Sequence, residues 1–148
     1  MASGTVASAA CVAAWFILQR STFAVSGAGT LLLAASISLL GLLATHALIH
    51  DAEWKKVASG NNGKAHIDPS EVVVDEWAGM LIALIPASPT LLEALIAFSL
   101  FRTFDIMKFG PIGMAERLPG AWGIMLDDIV AGAAAALILF GLRYAFLS

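Results

Sequence analysis

Hydrophobic positions along this chain fall in long runs, and the polar residues between them gather in a few tight groups. Residues 1–19 carry no charge, and Ala9 to Leu18 is almost continuously apolar before Gln19, Arg20 and Ser21 close the run. About 15 residues of helix reach roughly 22 Å, short of the roughly 30 Å hydrocarbon core of a bilayer. The segment reads as a short or tilted span, or a helix laid against others, with Ser3 or Thr5 as its cap. From Ser21 to His50 there is no Asp, Glu, Lys or Arg, and LLLAASISLLGLLATHALI is long enough to cross. Gly27, Gly29 and Gly41 weaken a helix in water, yet in a membrane bundle they permit close contact.

Polarity then rises abruptly. Residues 51–68 carry DAEWKK, SGNNGK and HID; the first group extends the preceding helix beyond the bilayer, and SGNNG breaks it. Asp68 and Pro69 suit the cap and first position of a new helix running through SEVVVDEWAGMLIALI. Pro86 and Pro89 interrupt the apolar stretch that follows, so TLLEALIAFSLFRTFDI forms a second helix and the two make a hairpin. Its outer ends, near Asp75 and near Arg102–Asp105, return to one side. KFGPIGMAERLPGAWG reads as a loop, and IMLDDIVAGAAAALILFGLRYAFL as a last helix of about 24 residues with its aspartates in the first turns. Trp122, Arg143 and Tyr144 read as interface anchors. The prediction is an all-α, compact membrane bundle with two or three spanning helices and a Pro-broken hairpin, one domain over residues 1–148.

Composition supports that environment. Hydrophobic residues make up 59% and charged residues 13%, with a mean hydropathy of +0.87, whereas soluble domains carry about 25% charge. Eight Lys and Arg against eleven Asp and Glu give a net charge of −3, which provides no global attraction to polyanions such as nucleic acid and leaves room for a local cationic site. Cys11 is single and lies in an apolar run, which suits a buried thiol. No Lys or Arg precedes the first apolar run, so that run reads as part of the working protein, not a secretory leader.

Chemistry concentrates in the acids. Asp75-Glu76-Trp77-Ala78-Gly79 and Asp128-Ile129-Val130-Ala131-Gly132 share the pattern D-x-x-A-G. A glycine four residues after an acid lies on the same helix face, so Gly79 and Gly132 would let two helices cross while Asp75 and Asp128 face one cavity. Glu76 and Asp127 point about 100° away from their neighbours. Acids beside apolar helices are costly unless paired, neutralised or cation-bound. An oxygen-rich donor set suits Mg²⁺ and not zinc. Arg102 and Lys108, flanking Asp105, offer a fork and a point charge for phosphate oxygens. A helix-end salt bridge between Arg102 and Asp105, and helix capping by Asp127 and Asp128, are the plain alternatives. His46 and His50 share a face without a recognised metal pattern.

HIDPSEVVVDEWAGM, FRTFDIMKFGPI and GIMLDDIVAG together resemble the successive motifs of the phosphatidylglycerophosphatase A family. ASGTVAS resembles its Gly-Thr segment, with Ser3 where a proline is usual and no upstream glycine-rich stretch, as in a shortened N-terminus. Phe109 stands where the family has another proline. The resemblance implies a bacterial membrane phosphatase, using Mg²⁺ to convert phosphatidylglycerophosphate into phosphatidylglycerol and inorganic phosphate. It implies an acidic core of Asp75, Glu76, Asp105, Asp127 and Asp128, with His66, Asp68, Arg102 and Lys108 nearby and Gly4 and Thr5 in support.

On that reading Asp75, Glu76, Asp127 and Asp128 hold the metal, Arg102 and Lys108 hold the phosphate, and Asp105 or His66 positions or deprotonates water. Asp75 or Asp128 as a carboxylate nucleophile is an open alternative to water. The expected setting is the bacterial inner membrane with the site facing the cytoplasm, bilayer lipids as neighbours and room for a homo-oligomer. Two other classes stand beside it: an ion or proton transporter using Asp75 and Asp128, and a structural membrane protein whose acids cap helices.

Overall fold

The computed structural model describes residues 2–21, 25–58, 73–118 and 121–147, and there it is all-helical. The elements are α1 (Ala2–Arg20), α2 (Gly27–Ala58), α3 (Val74–Leu84), α4 (Leu91–Met107), α5 (Pro111–Glu116) and α6 (Ala121–Leu142), which runs into a π-helical turn over Arg143–Leu147. Two helical stretches are long and apolar enough to cross a membrane, Gly27–Ala47 and Trp122–Phe146. α2 continues well past the first of them, to Ala58. His46 and His50 are both exposed on it.

The proline pair does break the apolar stretch. α3 ends at Leu84, and Thr90 caps α4 by accepting the Glu93 N–H at 3.3 Å. Glu93 in turn accepts from the Ser88 N–H at 2.7 Å, a reciprocal cap that sets the direction of the new helix. Arg143 closes this turn from outside: its Nε lies 3.3 Å from Glu93 Oε2, and its Nη1 donates to the Pro86 carbonyl. Arg143 was expected as an interface anchor. It is also a latch on the hairpin, because the π-helical turn brings it over a buried carboxylate that has no other ion-pair partner among the described residues.

The described part of α3 starts at Val74, and the expected start at Asp68 and Pro69 lies outside the described residues. Two boundaries differ from expectation. The Gly- and Pro-rich stretch after α4 is not wholly loop: Pro111, which lacks an N–H that a first turn would leave unpaired, opens the short α5. α6 begins at Ala121, which moves Asp127 and Asp128 out of its first turn and removes the capping alternative. SGNNG, His66 and Asp68 lie outside the described residues.

α3 is only 11 residues long and sits in the middle, packed on α1, α2, α4 and α6. It is apolar nearly all round, as a helix surrounded by others must be. Its closest neighbour is α6. A Cβ added at Gly79 would stand 2.5 Å from the Asp128 carbonyl oxygen and 2.6 Å from the Phe101 ring, and one at Gly132 would collide with the Gly79 backbone. The two backbones therefore touch directly. Phe101 packs against this crossing, and Met80, Leu84 and Leu139 belong to the same buried core cluster.

The helices share two ends. Gly27 lies beside the Ile85 carbonyl and Arg143 beside Pro86, while Gly41 meets Val74 and Met125. The two candidate spans thus run antiparallel, with the hairpin turn at one end. Leu32, Leu40, Leu43, Leu137 and Phe140 are exposed along their outer faces, as a lipid-facing surface requires. Gly132→Ala is expected to destabilise the protein in detergent by about 1–3 kcal/mol through overpacking. Gly141→Ala, where a Cβ meets nothing, is expected to leave the unfolding midpoint unchanged or slightly raised. Equal effects of the two changes would contradict the crossing.

Candidate active site

The end opposite the hairpin turn collects the start of α1, the start of α3, the end of α4, α5 and the first turns of α6. Asp75 and Glu76 occupy the first turn of α3, where Val73 provides no side-chain cap. Asp75 Oδ1 instead accepts the Glu76 N–H at 2.8 Å, meeting one of the unpaired donors of the helix start. Four residues on, Gly79 brings this turn against α6. Asp75, Asp127 and Asp128 are all buried. Asp128 lies within electrostatic reach of Asp105, Asp75 and Asp127.

Arg102 reaches this cluster from the last turns of α4. Its Nη1 lies 2.6 Å from Asp105 Oδ2 and 3.7 Å from Glu76 Oε1, ion pairs without directional hydrogen-bond geometry at that nitrogen. Nη2 donates to Thr5 Oγ1 at 3.4 Å, and a Cβ at Gly4 would strike the Glu76 carboxylate. The opening of α1 thereby packs on the pair formed by α3 and α4. Arg102 Nε and Glu76 Oε2 are buried with no hydrogen-bond partner among the described residues.

Lys108 ends α4 with φ 45 and ψ 46, a left-handed conformation usually left to glycine and costing a side-chain-bearing residue roughly 1 kcal/mol. This bend aims its ammonium at α5 and α6, where Nζ lies 2.7 Å from Glu116 Oε1 and 3.0 Å from Asp127 Oδ2. Burial acts to lower the lysine pKa, but these two partners outweigh it and hold it above the usual lysine value. Burial also raises Glu76, against the opposing charge of Arg102.

The structure thus gathers Asp75, Glu76, Asp105, Asp127, Asp128, Arg102 and Lys108 at one place, with Gly4, Thr5, Gly79 and Gly132 supporting them. The straight span that would have separated the acids from the cations is not formed. Arg102 and Lys108, expected to face phosphate, are both paired with acids here. Glu116 was missed; its signal was an acid just beyond the Gly-Pro turn, within reach of Lys108. Among the described residues no three His, Cys, Asp or Glu side chains are grouped as a metal cage. The acids nonetheless fit a hard divalent ion in charge and donor type: six carboxylates, counting Glu116, face two cations, and the partnerless Glu76 oxygen adds a ready acceptor. Closing around an ion would require these carboxylates to turn towards one another.

The family profile for phosphatidylglycerophosphatase A matches residues 1–143. The chain belongs to the phosphatidylglycerophosphatase A family. Among curated relatives, phosphatidylglycerophosphatase A of Haemophilus influenzae is 41% identical over 80 residues, covering 52% of this chain and 48% of that protein. The Escherichia coli protein of the same name is 43% identical over 76 residues, covering 49% and 44%. A provisionally named phosphatidylinositol-3-phosphatase of Bacteroides thetaiotaomicron is 43% identical over 70 residues, covering 44% and 43%. The matched stretches span less than half the length of each of these relatives. No solved structure matches the chain.

Asp75 provides a pH test of the site. Burial, opposed by the Glu76 N–H and reinforced by the charges of Glu76 and Asp127, pushes its carboxyl up to about 7 from an ordinary 3.8. The folded protein therefore keeps a proton that the unfolded chain releases. In the metal-free protein this carboxyl is expected to lower stability as pH rises from about 4 to about 7, at up to about 1.4 kcal/mol per unit, and to level off above. Denaturation in detergent with EDTA should show the decline, and Asp75→Asn should flatten it. An unchanged slope in the variant would contradict the burial.

Proposed function

We propose that the protein is a Mg²⁺-dependent lipid phosphatase that hydrolyses phosphatidylglycerophosphate to phosphatidylglycerol and inorganic phosphate. The observation that carries this reading is the meeting of excess carboxylates with Arg102 and Lys108 at one end of a lipid-facing bundle. Family membership supplies the substrate: two relatives are named for it. A lipid substrate keeps its acyl chains in the bilayer while its phosphate enters the charged site.

Asp75, Glu76, Asp127 and Asp128 would hold the metal. When bound, Mg²⁺ supplies charge neutralisation at phosphate and a lowered pKa for water. Glu76 and Asp127, drawn to a metal, would leave Arg102 paired with Asp105 and Lys108 with Glu116, each with further N–H donors for phosphate oxygens. The Arg102 Nε–H, buried without a partner, is a donor for one of them. Asp105 orients the attacking water and takes its proton as oxygen bonds to phosphorus. The ester P–O bond breaks, and the leaving glycerol oxygen takes a proton from solvent water at the site mouth. His66, outside the described residues, is the second candidate for deprotonating the attacking water. The reaction is placed at the cytoplasmic face of a bacterial inner membrane.

Purified protein in detergent is expected to release phosphate from phosphatidylglycerophosphate with Mg²⁺ and to stop in EDTA. Asp128→Asn should lower turnover at least 100-fold, with helical circular dichroism retained. Phosphatidylinositol 3-phosphate and glycerol 3-phosphate in parallel reactions would set the headgroup and lipid requirement. No release by folded protein with any of several divalent ions would overturn the assignment. Full activity of Asp128→Asn would remove its proposed role.

A further inference from the structure

Beside the charged site, α2 and α3 leave an apolar cleft of about 450 Å³, lined by Ile37, Leu40, Val73, Val74 and Trp77. Its size is that of a small-molecule site. Its lining is wholly apolar, so water within it would find no hydrogen-bond partners. One wall is Gly27–Ala47, the first candidate membrane span, and Leu40 is 65% exposed there, with Leu39 and Leu43 also exposed. The cleft mouth therefore opens on the apolar face of a candidate membrane span. Its other wall leads directly into the catalytic end, since Val73 and Val74 immediately precede Asp75 and Glu76. Arg102 and Lys108 stand at that end, the two cations that the phosphatase reading assigns to phosphate oxygens.

We propose that this cleft seats an acyl chain of the phosphorylated lipid whose headgroup occupies the charged site. The inference deepens the phosphatase reading and rests on it for the headgroup. A chain laid along Ile37 and Leu40 would anchor the lipid at the start of α3. It would also confine the headgroup to the membrane level of Asp75. The cleft then selects lipid over water-soluble phosphomonoesters, a distinction that carboxylates and a metal alone cannot make.

The test uses the whole protein in detergent–lipid micelles with two photoactivatable probes. One is a phosphatidic acid and the other a phosphatidylcholine, each carrying a diazirine in one acyl chain. The phosphatidic acid probe is expected to label residues 73–77 at least fivefold more than the choline probe. Leu40→Trp, which fills the cleft, should cut that labelling at least tenfold. The same variant should reduce the preference for phosphatidylglycerophosphate over glycerol 3-phosphate at least tenfold. Where Leu40→Trp fails to fold, wild-type labelling decides. Equal labelling by both probes would make the cleft ordinary bilayer contact and overturn the proposal. Absence of labelling would leave the cleft to a second copy or another protein helix, and would overturn it too. Wild-type phosphate release separates the two readings. Selective labelling without turnover keeps the lipid cleft and removes the phosphatase, whereas turnover without selective labelling does the reverse.

Discussion

The contact of Gly79 on Gly132 sets the geometry on which the remaining structure depends. Two helices whose backbones touch have no freedom to slide without separating, because each missing Cβ is filled by the other's main chain. α3 begins only five residues before Gly79, so fixing the crossing also fixes the first turn that carries Asp75 and Glu76. On α6 the same contact fixes Asp128, whose own carbonyl forms part of the crossing surface. Phe101 closes the third side and brings α4 into register, placing Arg102 one residue further on against Glu76 and Asp105. A wider crossing would separate the acids and empty the space held by Phe101 together.

Charge in a chain so poor in it is spent at two ends of the bundle. At the hairpin turn a single carboxylate, Glu93, is satisfied by a cap hydrogen bond and by Arg143, and this end has the balance of a structural contact. At the other end carboxylates outnumber cations among the described residues, Asp75 is pushed towards neutrality by burial, and buried polar atoms on Glu76 and Arg102 lack hydrogen-bond partners there. Such an arrangement is costly for folding alone and is suited to binding charge from outside. The contrast between the two ends, made by the same helices, is the reason to assign chemistry to one of them.

Much of this was legible in the chain. The repeated D-x-x-A-G pattern indicated the crossing because its spacing is local to one helix turn, and the proline pair indicated the hairpin because proline acts on its own backbone. Arg143 on Glu93 was not legible, since the contact joins residues 50 positions apart through a π-helical turn with no compositional signature. The start of α6 was read too late because Gly123 looks like loop; it packs instead under the Leu118 carbonyl, where a side chain would not fit. The pairing of Lys108 with Glu116 and Asp127 depends on a left-handed residue, which sequence suggests only when it is glycine. The acidic residues themselves were identified from their spacing; their ion partners required three dimensions.

The central claim is that the acid surplus beside the Gly79–Gly132 crossing exists to hold a divalent cation. Paramagnetic resonance of Mn²⁺ titrated into the purified protein measures this directly, because bound ions lose the sharp six-line spectrum of free Mn²⁺. The account predicts at least one saturable site per chain, displaced by excess Mg²⁺ and lost in Asp75→Asn and Asp128→Asn proteins that remain helical. A free-ion spectrum throughout the titration of folded wild-type protein, or a site that survives both substitutions, would contradict it.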